Sequence, residues 1–172
     1  MELFIPLIVI SLLLLIKSII IVKEKTSLVI QRLGKFQSVR TPGLGFIIPF
    51  IDSKAGTVNL KVQQLDVEVE TKTFDDVFVK LRISIQFKAM KENIFDAFYA
   101  LDDPLSQISS YVFDDVRAEV PKLELDDVFG KKDDIANAVK TNIANIMVDY
   151  GYDIVKTLIT DIDPDHNVKE SM

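Results

Sequence analysis

Few residues of this chain could carry out acid–base, nucleophilic or metal chemistry. Histidine occurs once, as His166, and cysteine does not occur at all. The absence of cysteine excludes disulfides, thiolate metal sites, cysteine nucleophiles and S-palmitoylation. A serine nucleophile needs a base beside it, and no serine stands in a Gly-x-Ser-x-Gly or Ser-x-x-Lys setting. His166 lies in a polar segment and is interpreted as solvated, so we predict no enzyme, no catalytic residue and no cofactor.

Three alternating aspartates near the C-terminus resemble the start of a calcium-binding loop. They are Asp161, Asp163 and Asp165. An EF-hand loop would continue with glycine and carry glutamate at its twelfth position, whereas this chain has His166 and Met172 there, and Pro164 interrupts the loop. We therefore predict a strand end with solvated acids and no metal site.

The N-terminus carries the most apolar segment of the chain. Sixteen of the twenty residues at positions 3–22 are apolar, and as a helix they would extend about 30 Å, the thickness of a bilayer core. Lys17 lies five residues from the end and could extend its ammonium to the interface. The sequence predicts a transmembrane anchor over 1–22, marked by Leu3, Ile16, Lys17 and Val22. A cleaved signal peptide and a half-inserted segment over 3–16 are alternatives; the Met1-Glu2 start and the lack of a small-x-small site disfavour the signal peptide.

The charges are unevenly distributed along the chain. Residues 17–40 hold six basic side chains and one acid, whereas residues 92–134 hold twelve acids and four bases. The basic flank of the anchor predicts, by the positive-inside rule, that the soluble part is cytoplasmic. The acidic distal part argues against nucleic acid as a partner. Its acids are interpreted either as solvated helix faces or as a partner-binding or self-assembly surface.

Periodicity in the remaining sequence predicts an α+β domain. Strands are expected at 26–33, at 60–73 with a β-bulge at Gln63–Gln64, and at 77–87, where apolar residues alternate strictly. The last two should form an antiparallel hairpin. Three helices follow, the second capped by Asp103-Pro104 and the third starting near Asp133 and ending before Gly151. A final strand is expected over 152–162.

A short apolar run broken by proline follows a turn cluster at 41–45. It consists of Phe46, Ile47, Ile48, Pro49, Phe50 and Ile51. Six residues are too few to span a bilayer, and the proline disfavours a central strand. The run is either a buried loop or edge strand, or a membrane-contacting tip beside the predicted anchor.

Several motifs together resemble one family. They are Val-Ile-Gln-Arg-Leu-Gly-Lys (29–35), Pro-Gly-Leu-Gly-Phe-Ile-Ile-Pro-Phe-Ile-Asp (42–52), Val-Gln-Gln-Leu-Asp-Val (62–67), Thr-Lys-Thr (71–73), Tyr-Val-Phe-Asp-Asp-Val-Arg (111–117) and Tyr-Gly-Tyr (150–152). The chain thereby resembles the SPFH or band 7 superfamily of stomatins, prohibitins and flotillins. The later blocks are most similar to its hypersensitive-induced-reaction branch, and the N-terminus to bacterial stomatin-like proteins.

The resemblance implies an SPFH domain over 23–163 and the start of a truncated helical segment over 164–172. It further implies a non-enzymatic membrane scaffold that assembles into homo-oligomeric rings or cages through that segment and organises membrane microdomains. The lipid bilayer is then the main partner. The alternative function is a regulatory binding subunit of a membrane protease or ion channel.

Overall fold

The computed structural model of the chain describes residues 4–164, which divide into two compact units with the boundary after Lys61. Unit 1 contains helix α1 (Phe4–Ser18) and strands β1 (Ile19–Val22), β2 (Thr26–Arg32), β3 (Lys35–Arg40), β4 (Gly43–Phe46) and β5 (Asp52–Asn59). Unit 2 contains β6 (Gln63–Lys72), β7 (Phe78–Ala89), α2 (Ile94–Tyr99), α3 (Pro104–Glu119), α4 (Leu125–Gly130), α5 (Lys132–Met147) and β8 (Tyr152–Pro164). The predicted α+β class is confirmed.

Unit 1 has two antiparallel sheets. One has the strand order β3-β2-β5, and the other is the two-stranded ribbon β1-β4. Buried side chains of β1 and β2 form a common core, namely Ile20, Val22, Leu28 and Ile30, and Ile47 packs against them half-buried. The ribbon is therefore attached to the larger sheet by one of its faces.

The predicted helix over residues 3–22 is wrong in its last four residues, because α1 ends at Ser18 and Ile19–Val22 form β1. Four consecutive β-branched residues favour a strand, which can bury every second side chain. No helix within residues 4–164 is long and apolar enough to cross a membrane, so the predicted transmembrane anchor is not supported. Leu3 lies outside the described residues, and the cytoplasmic orientation inferred from that anchor stays a prediction.

Unit 2 is built on a three-stranded antiparallel sheet of order β6-β7-β8. The predicted hairpin is confirmed, and β7 buries the alternating residues Val79, Leu81, Ile83, Ile85 and Phe87. The predicted bulge at Gln63–Gln64 is wrong, because β6 pairs with β7 without a register shift. The alternation of apolar residues changes phase there because the chain leaves unit 1 and enters unit 2. The Leu60 amide still donates to the Lys25 carbonyl and therefore belongs to unit 1. Register shifts occur instead between β7 and β8.

The described part of unit 2 contains four α-helices rather than the predicted three, since the short helix α4 precedes α5. The Asp103 cap is confirmed: its carboxylate accepts hydrogen bonds from the amides of Leu105 (3.0 Å) and Ser106 (3.2 Å), and Pro104 occupies the first turn. Helices α3 and α5 bury one apolar face each, consisting of Ile108, Val112 and Val116, and of Ile135, Ala136, Val139, Ile143 and Met147. The last strand extends two residues beyond its predicted end, to Pro164. Of the helical segment predicted over 164–172, Pro164 belongs to β8 and residues 165–172 lie outside the described residues.

Gly151 connects α5 to β8 in a left-handed conformation with φ of 80°. A Cβ at this position would lie 2.5 Å from the Asn93 carbonyl oxygen and 2.7 Å from the Ala97 amide nitrogen. Both the backbone conformation and the lack of space therefore require glycine.

We expect Gly151→Ala to lower the free energy of unfolding by at least about 2 kcal/mol, because left-handed strain and backbone overlap both act against the added methyl group. Gly130→Ala is the matched control, since no atom lies within 4 Å of its Cβ position, and it should change that free energy by less than about 1 kcal/mol. Urea denaturation followed by circular dichroism measures both. Equal unfolding midpoints for the two variants would contradict the requirement for glycine at position 151.

Candidate membrane-contact surface

The β1-β4 ribbon has one buried face and one exposed apolar face. Its register places Ile19 opposite Phe46 and Ile21 opposite Leu44. Cross-strand partners project to the same side of a sheet. These four side chains are 47%, 60%, 78% and 67% exposed in that order, while Ile20 and Val22 are buried on the other side. We call the set Ile19, Ile21, Leu44 and Phe46 the apolar face.

Gly45 allows the ribbon to pack closely on its buried side. It pairs with Ile20, and a Cβ at Gly45 would lie 3.2 Å from Ile20 Cγ1. A side chain here would crowd the buried Ile20 side chain. The short turn motif thus brings Leu44 and Phe46 to the outside while its glycine faces the core.

Phe46, the last residue of the ribbon, and the five residues after it form an apolar loop, which we call the tip (residues 46–51). The Ile47 amide donates to the Ser18 carbonyl at 2.9 Å, and the Ser18 hydroxyl donates to the Ile47 carbonyl at 2.5 Å. The Leu33 amide donates to the Ile51 carbonyl at 3.2 Å. Both ends of the tip are therefore bonded to the backbone of unit 1.

The Asp52 carboxylate holds the tip to strand β2 by hydrogen bonds. Its side chain is only 4% exposed; Oδ1 accepts from Arg32 Nε at 2.7 Å, and Oδ2 accepts from the Ile48 amide at 2.9 Å. The Asp52 amide in turn donates to the Ile48 carbonyl at 2.9 Å. The Arg32 guanidinium first, and then the Ile48 amide, lower the pKa of Asp52 below its ordinary value. The carboxylate is therefore charged at neutral pH and keeps the loop closed.

Most side chains of the tip point into solvent. Phe50 is 83% exposed, Phe46 60%, Ile48 47% and Ile51 43%, whereas Ile47 is turned inward against the core of unit 1. Phe50 has a positive φ of 69°, a conformation that a bulky side chain rarely adopts. The loop thus holds an exposed phenylalanine in an unfavourable backbone conformation. Strain of this kind is typical of functional positions.

Basic side chains lie beside the tip. The Lys17 ammonium is 5.9 Å from the centroid of the Phe50 ring, and Arg40 donates to the Phe46 carbonyl at 3.3 Å. Residues 1–61 contain eight lysines or arginines and three acids, a net charge of +5, while residues 62–172 contain twelve and 23, a net charge of −11. The exposed side chains of the apolar face and the tip therefore belong to the basic unit.

The predicted anchor residues end up in different environments. Ile16 is 61% exposed in α1, Lys17 is exposed beside the tip, and Val22 is buried in β1, where it cannot contact lipid. The described side chains of α1 between Ile8 and Ile16 include a largely exposed apolar set, namely Ile8, Val9, Leu12, Leu13, Leu14, Leu15 and Ile16. Helix, apolar face and tip all belong to unit 1.

The sequence does not predict the role of three residues of the apolar face. Its periodicity places Ile19 and Ile21 in the anchor helix, and its turn motif places Leu44 in a turn. The signal for Ile19 and Ile21 was present in the run of β-branched residues 19–22. Asp52 was noted only as the end of a motif, and its bonding role depends on contacts distant in sequence.

The aspartates that resemble a calcium-binding loop do not form a metal site within the described residues. Asp161 and Asp163 stand in β8 opposite Arg82 and Lys80 of β7, which agrees with a strand end, and Asp165 and His166 lie outside the described residues. Within residues 4–164 no three His, Cys, Asp or Glu side chains are grouped in a way that could hold a metal ion.

Comparisons with known proteins identify the class. The SPFH domain / Band 7 family profile matches residues 20–172, so the chain belongs to this family. It is 42% identical over 145 residues to hypersensitive-induced response protein 4 of Arabidopsis thaliana, covering 84% of this chain and 50% of that protein. It is 26% identical over 152 residues to stomatin-like protein stl-1 of Caenorhabditis elegans, with 88% and 46% covered.

A mitochondrial relative has the same sequence identity to this chain as stl-1. Human stomatin-like protein 2, mitochondrial, is 26% identical over 155 residues, covering 90% of this chain and 43% of the human protein. The chain therefore spans about half the length of the curated relatives it matches. The resemblance stated from the motifs is confirmed at the level of the family.

We expect Asp52→Asn to open the tip while leaving the rest of unit 1 folded. The neutral amide loses the charge-assisted bond to Arg32 and binds the Ile48 amide more weakly. Hydrogen exchange at the Ile48 amide should accelerate by at least about tenfold. The Leu60 amide, bonded to Lys25 in the same unit, is the internal control and should keep its protection. Unchanged exchange at Ile48 would contradict the role of Asp52.

The same bond predicts a pH dependence with a defined sign. Because the folded pKa of Asp52 is lowered, its stabilisation is present above the unfolded pKa of about 4 and is lost as the pH falls through the lower folded value. Protection of the Ile48 amide, corrected for intrinsic exchange, should be constant from pH 7 to about 4 and decline below that. In Asp52→Asn, protection of the Ile48 amide should be low at every pH. If protection in the variant instead fell below about pH 4 as it does in the unmodified chain, Asp52 would not be the titrating group.

Proposed function

We propose that this chain is a non-enzymatic scaffold that attaches to an anionic membrane surface through unit 1. The observation that carries the proposal is the exposure of the apolar face and tip beside the basic side chains Lys17 and Arg40. Contiguous exposed apolar surface of this kind marks an interaction site, and its basic margin favours anionic headgroups over an uncharged protein partner.

Energetics support attachment by insertion into the interface. Moving a phenylalanine or isoleucine side chain out of water contributes roughly 1.5–3 kcal/mol, and the tip alone exposes four such side chains. The ordered loop loses little conformational freedom on insertion, because Asp52, Ser18 and Leu33 already hold it. Each lysine or arginine near an anionic leaflet adds about 1 kcal/mol.

The distribution of charge supports one orientation at the membrane. Unit 1 carries +5 and unit 2 carries −11, so an anionic surface attracts the first and repels the second. We propose that unit 1 faces the lipid and that unit 2 remains available to other proteins. Because the chain spans about half the length of its relatives, assembly into rings or cages and the organisation of membrane microdomains are proposed for the whole protein.

The charge of unit 2 also favours the second candidate function, a regulatory binding subunit of a membrane protease or ion channel. Its acidic side chains include Asp126 and Asp127 in the first turn of α4, and Asp133 and Asp134 in the first turn of α5. Such a surface would suit a basic segment of a membrane protein. This candidate requires a specific protein partner, whereas the scaffold requires only lipid for attachment.

Co-sedimentation with phosphatidylcholine vesicles containing phosphatidylserine tests the attachment. We expect Phe46→Ser with Phe50→Ser to weaken binding by at least tenfold, corresponding to about 1.4 kcal/mol or more, because two inserted rings are lost. The matched control is Phe74→Ser with Phe78→Ser, which removes two exposed phenylalanines of unit 2 (69% and 52%) and should bind like the unmodified chain.

Three outcomes would contradict the proposal. They are equal binding by all three proteins, equal loss in both double variants, and equal binding to vesicles that lack phosphatidylserine. Proteins whose circular dichroism shows an intact fold are compared, so that a change in binding is not a change in folding.

A further inference from the structure

Two neighbouring cavities lie along β8 in unit 2, and we call them together the groove. Its first part has a volume of about 510 Å³ and is lined by strand residues 155–158 and by α5, including Asp133 and Lys140. Its second part has a volume of about 190 Å³ and is lined by strand residues 159–162 together with Phe129 and Lys132. The two parts follow one another along eight consecutive residues, about 26 Å of extended strand.

The strand beside this groove has an unused edge. Within the part of the chain that the structure describes, β8 is hydrogen-bonded to β7 and to no other strand. An edge strand directs part of its backbone N–H and C=O groups away from its neighbour, which makes it a template for an added strand. Register shifts at Val155 and Thr160 locally alter the direction of the backbone along this edge.

The charge of the groove indicates the chemistry of its occupant. Lys132, Lys140 and Lys156 line it, and none of the three ammonium groups forms an ion pair with a described residue. Asp133 and Asp161 also line it, so its lysines outnumber its acids although unit 2 as a whole has a charge of −11. Lys156 lies on β8, and Lys132 and Lys140 lie on the facing helix α5. Lysines without ion-pair partners on both sides of the groove favour an acidic segment.

We propose that this groove binds an extended, acidic peptide segment of a partner protein, which adds to the sheet as a fourth strand beside β8. Backbone hydrogen bonds to the strand edge hold the segment, its carboxylates meet Lys140 and Lys156, and its apolar side chains lie against Val155 and Phe129. The groove lies in unit 2, and the proposal does not depend on membrane attachment by unit 1.

The probe is a fluorescein-labelled eight-residue peptide of alternating glutamate and valine, titrated against the full chain by fluorescence polarisation. We expect saturable binding, and hydrogen-exchange protection of the β8 amides over 155–162. The same peptide with lysine in place of glutamate tests charge. A version N-methylated on alternate residues tests strand addition, since it lacks the backbone donors. Both control peptides should bind at least about tenfold more weakly.

Lys140→Glu with Lys156→Glu should weaken binding of the glutamate peptide by at least about fivefold. The matched control is Lys91→Glu with Lys122→Glu, which changes the charge of unit 2 equally outside the groove and should leave binding within about twofold.

The proposal is overturned if the glutamate peptide does not bind at about 1 mM, if the lysine or N-methylated peptide binds equally well, or if both charge-reversed proteins lose binding to the same extent. It is also overturned if the β8 amides become protected with rising protein concentration in the absence of peptide. That result would show that a second copy of this chain occupies the edge.

Discussion

The carboxylate of Asp52 is the contact on which the candidate membrane surface depends. It lies at the first residue of β5, where one oxygen accepts from Arg32 on the neighbouring strand and the other accepts from the Ile48 amide in the tip. An apolar loop would otherwise gain free energy by turning its side chains inward. With Ile48 bonded to Asp52, Ile47 packs against the core, while Phe46, Ile48, Phe50 and Ile51 remain exposed. A partly buried ion pair therefore determines which apolar side chains of the tip stay exposed.

The apolar N-terminus serves two purposes because its secondary structure changes at Ser18. Before that residue, α1 exposes apolar side chains; after it, β1 buries Ile20 and Val22 and exposes Ile19 and Ile21. The alternation of a strand divides the four residues between the core of unit 1 and its apolar face. This division also explains why the ribbon can stay attached to the β2 core while presenting hydrophobic side chains outward.

The sequence predicted best those elements whose signals are local and periodic. Strict alternation identified β7, and the Asp103-Pro104 pair identified the start of α3, because one buried face and one cap each leave a direct pattern. The helix over 3–22 was extended too far because a continuous apolar run has no period that separates helix from strand. Strand β5 was missed because it is an edge strand whose mostly polar side chains face solvent, with Val58 its one buried residue. The bonding of Asp52 to Arg32 and Ile48 joins three separate elements and has no local signature.

The most direct test of the membrane-contact surface is the depth of the tip at the bilayer. Because the chain has no cysteine, Phe50→Cys and Phe74→Cys each provide a single site for an environment-sensitive fluorophore. With phosphatidylserine-containing vesicles, a probe at position 50 should shift its emission to shorter wavelength and become inaccessible to an aqueous quencher, while a probe at position 74 should remain accessible. If the probe at position 50 stays fully accessible on vesicles to which the protein is bound, the tip does not contact the membrane and the account is wrong.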